Sequence, residues 1–173
     1  GFGGSCFKKD ILNLVYLSRH FGLNEVADFW EVVVDLNNWH QHRISRLVVK
    51  NLFGNVTSKK ICILGFAFKA NTNDTRESPS IQICKNLLSE GASLKIHDPK
   101  VTNKQVAIDL GIPSIEECKK NEELNKKYKN KKWEKSFLDN DFFDNLDAVL
   151  VLTEWDIYSK INWGKASKKM RSP

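Results

Sequence analysis

The run from Lys60 to Gly65, KICILG, constrains the fold more than any other stretch. Four consecutive apolar residues closed by a glycine leave no polar face for water, so a strand here has to be covered on both sides. A polar loop follows, then a helix pattern from Pro79 to about Glu90. Pro79 suits the first helical turn and Gly91 suits the exit. A second strand pattern, Leu94 to His97, ends at Asp98-Pro99, and residues 104–110 read as a short helix. Residues 146–153, LDAVLVLT, supply a third strand, and another short helix sits near Lys165. Strand, helix and strand in this order make a βαβ unit. The expected fold class is therefore α/β, with a doubly wound parallel sheet.

Upstream the pattern is instead helical, with apolar residues three and four apart. GFGGSCFKK is a glycine-rich loop, followed by a helix with Ile11, Leu12, Leu14, Val15 and Leu17 apolar, stopped near Gly22. A second helix runs from Asn24, read as its N-cap, to about Phe53. Val26, Phe29, Trp30, Val33, Leu36, Ile44, Leu47 and Val48 form its apolar stripe. At about 30 residues it is long for a globular helix, and such helices bridge domains or form dimer seams. The chain divides into 1–55, the loop and helices, and 56–173, the sheet domain.

Charge and cysteines narrow the function classes. The net charge is +6, and the segment 119–135 carries eight lysines. That segment reads as a solvated loop or helix face; it lacks arginine, and no nucleic-acid-binding motif accompanies it. No apolar run approaches the roughly 18 residues of a membrane span. Residue 1 is Gly with no signal segment behind it, so the chain is expected to begin inside a longer protein, and its C-terminus is expected to be truncated. Cys6, Cys62, Cys84 and Cys118 form no CxxC pair, so neither a zinc site nor a disulfide framework is expected. Cys62 and Cys84 lie in apolar patterns and read as small buried hydrophobes. His40 and His42, two apart on a helix, point to different faces, and no metal site is expected there.

Two constellations carry chemistry. In GFGGSCFKKD, glycines at 1, 3 and 4 permit close backbone approach, and Cys6 lies just before a helix start. A thiol there, flanked by Lys8 and Lys9, is set up to ionise and act as a nucleophile. Asp10, one turn on, can orient a water or hold a lysine. A helix-entry loop with a small buried Cys and a dipole-complementing Asp fits the same residues, and both readings stay open. The second constellation, 63–79, sits between a strand and a helix, where doubly wound sheets place ligands. It has only Gly65 and is no dinucleotide fingerprint, but Lys69 and Arg76 are placed for anionic groups. Solvated surface charges fit them equally. Asp98 reads as an Asp-Pro turn, and 153–158 as a helix N-cap with Trp155 packed on the sheet.

GFGGSCFKKD, GFAFKANTNDTRESP and TEWDIY together resemble the UDP-glucose/GDP-mannose dehydrogenase family, over nearly the whole chain except the lysine-rich insertion. The Ser-Cys-Phe-x-Lys-Asp run, GFAFK and TEWD look most like its UDP-glucose branch. The resemblance implies a long central helix followed by a Rossmann-like UDP-binding domain, with the N-terminal NAD domain absent. It implies NAD-dependent oxidation of UDP-glucose to UDP-glucuronate in two steps through a thiohemiacetal and a thioester on Cys6, with Asp10 assisting water and proton handling. Gly1, Phe2, Gly3, Phe68 and Lys69 match positions that contact the substrate. Cys6, Phe7, Lys8, Lys9 and Arg76 match positions that border NAD. It further implies a cytoplasmic homodimer paired through 24–53, a larger homo-oligomer in the full-length protein, and no activity for this piece alone. Sibling enzymes acting on GDP-mannose or UDP-N-acetylmannosamine, and a non-catalytic UDP-sugar-binding or dimerisation module, are the alternatives.

Overall fold

The computed structural model describes residues 1–139 and 141–171. Helices α1 (Phe7–His20) and α2 (Asn24–Asn51) form an antiparallel hairpin. The turn between them is tight: Gly22 sits at φ +74°, and the Leu23 N–H donates to the Ser18 carbonyl at 2.8 Å. So short a turn places Leu23 at the N-cap, without a side-chain cap, and Asn24 is the first helical residue rather than the cap its side chain suggested. The hairpin buries Ile11, Val15 and Ser18 against a face of α2 that includes Ala27, Val34 and Asn37. Much of the apolar stripe read from the sequence faces outward instead. Val26, Phe29, Leu36 and Leu47 of that stripe are exposed, and so are Val32 and Trp39 outside it.

The sheet follows: β1 (Lys60–Leu64), α3 (Pro79–Ser89), β2 (Ser93–His97), α4 (Asn103–Leu110), α5 (Ile115–Lys120), α6 (Glu122–Lys127), β3 (Lys132–Lys135), β4 (Ala148–Val151), α7 (Asp156–Ser159) and α8 (Trp163–Ser167). The strand order is β3-β2-β1-β4, with every pairing parallel. β1 explains its own composition. Ile61 and Ile63 join a core with Ile83 and Leu87 of α3 and Val106 and Leu110 of α4. Cys62 and Leu64 join a second core on the opposite face with Phe142, Leu146, Trp155 and Tyr158. Each such side chain contributes roughly 1.5–3 kcal/mol when fully buried. The lower part of α2, through Ile44, Val48 and Val49, packs on the first core and ties the hairpin to the sheet.

The lysine-rich segment is more ordered than the sequence suggested. A reciprocal capping box between Ser114 and Glu117 starts α5, and the Asn121 side chain caps α6. β3 is a parallel edge strand, with Trp133 opposite Leu94. Trp133 is fully buried, and its indole N–H donates to the Ile112 carbonyl at 2.9 Å. In KWEK only the tryptophan is buried, so the apolar signal rests on one residue. The lysines at 119, 120, 126, 127, 129, 131 and 132 are exposed, the solvated face expected of them.

Candidate active site

The site is built on the carboxyl ends of β1, β2 and β4. Gly65 ends β1 at φ +94°. A Cβ there would lie 2.4 Å from the Thr153 Cβ, so only glycine lets the segment after β4 close in. The Thr153 hydroxyl then donates to the Ala67 carbonyl at 2.7 Å. Asp98, buried at the end of β2, organises both neighbouring turns. Its Oδ2 accepts N–H bonds from Phe66 at 2.8 Å, Ala67 at 3.1 Å and the Trp155 indole at 3.3 Å. Its Oδ1 accepts from the Lys100 and Val101 amides, both at 2.9 Å. Five donors saturate a carboxylate, which makes Asp98 a turn organiser and leaves no capacity for a ribose. Trp155 is buried against the sheet, as its pattern suggested, and itself holds the N-cap position of α7 without a side-chain cap bond.

Ser78 and Ser80 complete the frame by donating to the Phe66 and Gly65 carbonyls at 2.8 and 3.3 Å. The loop thus fixed carries Phe68 to the glycine-rich segment. Gly4 lies at φ +86°, where a Cβ would come within 2.8 Å of the Phe68 ring. Its N–H donates to the Arg76 carbonyl at 3.0 Å. A Cβ on Gly3 would lie 2.5 Å from the Glu77 carbonyl oxygen. Two constellations some seventy residues apart are thereby joined.

Cys6 occupies the N-cap position of α1 and is exposed, with its Sγ 3.8 Å from the Ser5 hydroxyl. Asp10, exposed in the first turn, donates its amide to the Cys6 carbonyl at 2.9 Å. Phe2 and Phe7 meet edge to face, with ring centroids 4.8 Å apart. The Lys8 ammonium is bonded to Glu77 at 2.8 Å, so its charge is directed to the 66–79 loop, while Lys9 stands exposed. Lys69 is exposed, its ammonium 5.3 Å from the Phe68 ring centroid. Arg76 is exposed and forks onto Asp74 at 2.7 and 3.0 Å. This pair pulls the Asp74 carboxyl below its usual range. The Arg76 pKa is raised, first by the hydrogen bond and then by the charge of Asp74. Contacts thus join Gly3, Gly4 and Lys8 of the glycine-rich segment to Phe68, Arg76, Glu77 and Pro79 of the 66–79 loop; Gly1 and Phe2 adjoin Asn37, Phe7 meets Phe2, and Cys6, Lys9, Asp10 and Lys69 are exposed.

The sequence reading missed Asn37, a buried amide on α2. Its Oδ1 accepts from the Phe2 N–H at 2.7 Å, and its Nδ2 donates to the Phe2 carbonyl at 3.0 Å. The signal available was a polar residue three positions after buried Val34, on the face of α2 that packs on α1.

The family model described as "UDP-glucose/GDP-mannose dehydrogenase family, UDP binding domain" matches residues 62–173. The chain belongs to the UDP-glucose/GDP-mannose dehydrogenase family. UDP-glucose 6-dehydrogenase of Pongo abelii is 44% identical over 176 residues, covering 100% of this chain and 33% of that protein. UDP-glucose 6-dehydrogenase of Drosophila melanogaster is 40% identical, covering 100% of this chain and 35% of its own length. The chain therefore spans about a third of the length of the curated relatives it matches. A solved UDP-glucose dehydrogenase from Pyrobaculum islandicum superimposes with a TM-score of 0.72 at 24% identity, covering 99% of this chain and 37% of that one. That likeness carries the fold. The resemblance drawn from the three motifs is borne out, as is the α/β class with its parallel sheet. Among the described residues no helix is long and apolar enough to cross a membrane.

Proposed function

We propose that this chain supplies the nucleophile and the UDP-sugar-binding domain of an NAD-dependent UDP-glucose 6-dehydrogenase. The observation that carries the reading is an exposed cysteine at the N-terminus of α1, two residues after a glycine whose amide is bonded to the strand-end loop of the UDP-binding domain. Relatives 40–44% identical over the whole chain and named for UDP-glucose favour that sugar over GDP-mannose or UDP-N-acetylmannosamine.

The roles are those the family resemblance implies. Gly1, Phe2, Gly3, Phe68 and Lys69 line the face offered to UDP-glucose, with Lys69 directed at its phosphates. Cys6, Phe7, Lys8, Lys9 and Arg76 border the nicotinamide cofactor, and the exposed Arg76 guanidinium, on a residue whose carbonyl holds Gly4, fits an anionic dinucleotide. NAD, when bound, accepts the hydrides removed from C6. The Cys6 thiolate adds to the C6 aldehyde and forms a thiohemiacetal. Loss of a hydride and a proton from that adduct leaves a thioester. Water cleaves the thioester to the carboxylate of UDP-glucuronate and returns the thiol, with Asp10 taking a proton from the water. The protein holds the reacting carbon beside the sulfur and keeps the aldehyde from diffusing away.

The outward strip Phe29, Val32, Leu36 and Trp39 on α2 supports a homodimer through 24–53, within a larger homo-oligomer at natural length. The residues 1–55 then act as catalytic loop and dimer seam, and 56–173 as the UDP-sugar domain. Four free cysteines accord with a reducing, cytoplasmic setting. The test is NAD reduction by the natural-length protein with each sugar nucleotide in turn. UDP-glucose is expected to give the highest kcat/KM; turnover of GDP-mannose or UDP-N-acetylmannosamine alone would move the protein to a sibling activity.

A further inference from the structure

We infer that Asn37 is the positioning residue for the cysteine loop, an inference that rests on reading Cys6 as the nucleophile. Asn37 is only 5% exposed and spends both ends of its amide on one residue of main chain. It accepts from the Phe2 N–H at 2.7 Å and donates to the Phe2 carbonyl at 3.0 Å. A neighbouring strand would offer the same pair of bonds, but here a helix side chain supplies them. The contact is close enough that a Cβ on Gly1 would stand 2.7 Å from the Asn37 Oδ1.

The loop needs such a hold. Between Phe2 and Cys6 lie Gly3 and Gly4, the latter at φ +86°, and glycine leaves backbone torsions free to swing. Downstream, Gly4 is held by the Arg76 carbonyl and α1 begins at Phe7. Upstream, the Asn37 amide is what grips the main chain. Tethers on both sides of Gly3 fix the path into Cys6; with one removed, the segment pivots about the glycines. An apolar side chain of the same size would fill the space but leave the Phe2 N–H and carbonyl without these partners. A displacement of about 1 Å at a reacting group costs on the order of 10²-fold in rate.

The experiment uses the natural-length protein with Asn37→Leu, which keeps the volume and loses both bonds, and Asn37→Ser as a smaller, polar variant. Three quantities are read: thermal midpoint, kcat and KM for UDP-glucose, and the rate at which iodoacetamide alkylates Cys6, followed by peptide mass. A folded Asn37→Leu protein is expected to lose kcat by about ten- to a hundredfold, more than any change in KM. Its Cys6 alkylation rate should shift about threefold or more, with Asn37→Ser between it and wild type. A folded variant with unchanged kcat and unchanged alkylation overturns the inference and leaves Asn37 a packing residue. If Asn37→Leu does not fold, Asn37→Ser decides by the same readouts. Wild-type turnover by Cys6→Ser would sink the nucleophile reading separately, and the alkylation rates would then still decide whether Asn37 sets the loop.

Discussion

Replacing Asp98 by asparagine changes one heavy atom and should loosen the whole frame under the site. The carboxylate accepts five N–H bonds, three on Oδ2 and two on Oδ1. An amide has one acceptor oxygen. In its cheaper orientation it keeps the Phe66, Ala67 and Trp155 donors and turns an NH2 group toward the Lys100 and Val101 amides. Two bonds to a charged acceptor are then lost, each worth about 1.5–3 kcal/mol, or roughly 3–6 kcal/mol together. Against a total stability of roughly 5–15 kcal/mol this is a large fraction. At about 2–4 °C per kcal/mol for a domain of this size, the thermal midpoint should fall by roughly 6–24 °C. Calorimetry of wild type and Asp98→Asn measures it, and hydrogen exchange at Phe66 and Ala67 should accelerate in the same variant. A midpoint within about 2 °C of wild type, with exchange unchanged, would refute the assignment of Asp98 as the organiser of these turns.

Three further outcomes follow from the same structure. Trp133→Ala removes a fully buried ring and the partner of the Ile112 carbonyl, and is expected to cost about 4–8 kcal/mol, whereas Trp133→Phe should cost about 1–3 kcal/mol for the lost bond alone; equal midpoints for the two variants would contradict this. His97 has its pKa lowered by burial first and by Lys135 second, against an ordinary value of 6.5. The folded state therefore takes up that proton less readily than the unfolded chain, so stability is intact above pH 6.5 and declines as pH falls below it. The midpoint of wild type should drop more steeply between about pH 7.5 and pH 5.5 than that of His97→Gln, and parallel slopes would count against the claim. Burial pushes the Cys62 and Cys84 thiols far up. Iodoacetamide should accordingly label Cys6 in the native protein and leave Cys62 and Cys84 untouched until unfolding, as peptide mass mapping would reveal.

The parallel sheet was legible because KICILG must be covered on both faces, and the structure covers it with two separate cores. β3 was not legible, since one buried tryptophan among lysines gives no alternating pattern; its place is set by the indole bond to Ile112 and pairing with β2. The apolar stripe of α2 was read as periodicity, but much of it points outward, and the hairpin packs through Ala27 and Val34 instead. At the site, Cys6, Lys69 and Arg76 stood out by residue type and local spacing. Their convergence depends on contacts seventy residues apart, such as the Gly4 amide on the Arg76 carbonyl, which no local window contains. Asn37 and the saturation of Asp98 escaped for the same reason: each acts through main-chain partners whose identity the sequence does not encode.

The central claim is that Cys6 carries the sugar through both oxidations. The most direct measurement is the NADH formed per UDP-glucose consumed by the natural-length protein, for wild type and Cys6→Ser. The account predicts two NADH per UDP-glucose for wild type, and loss of that turnover in Cys6→Ser. Wild-type turnover by Cys6→Ser, or a wild-type yield of one NADH with the aldehyde released, would contradict it.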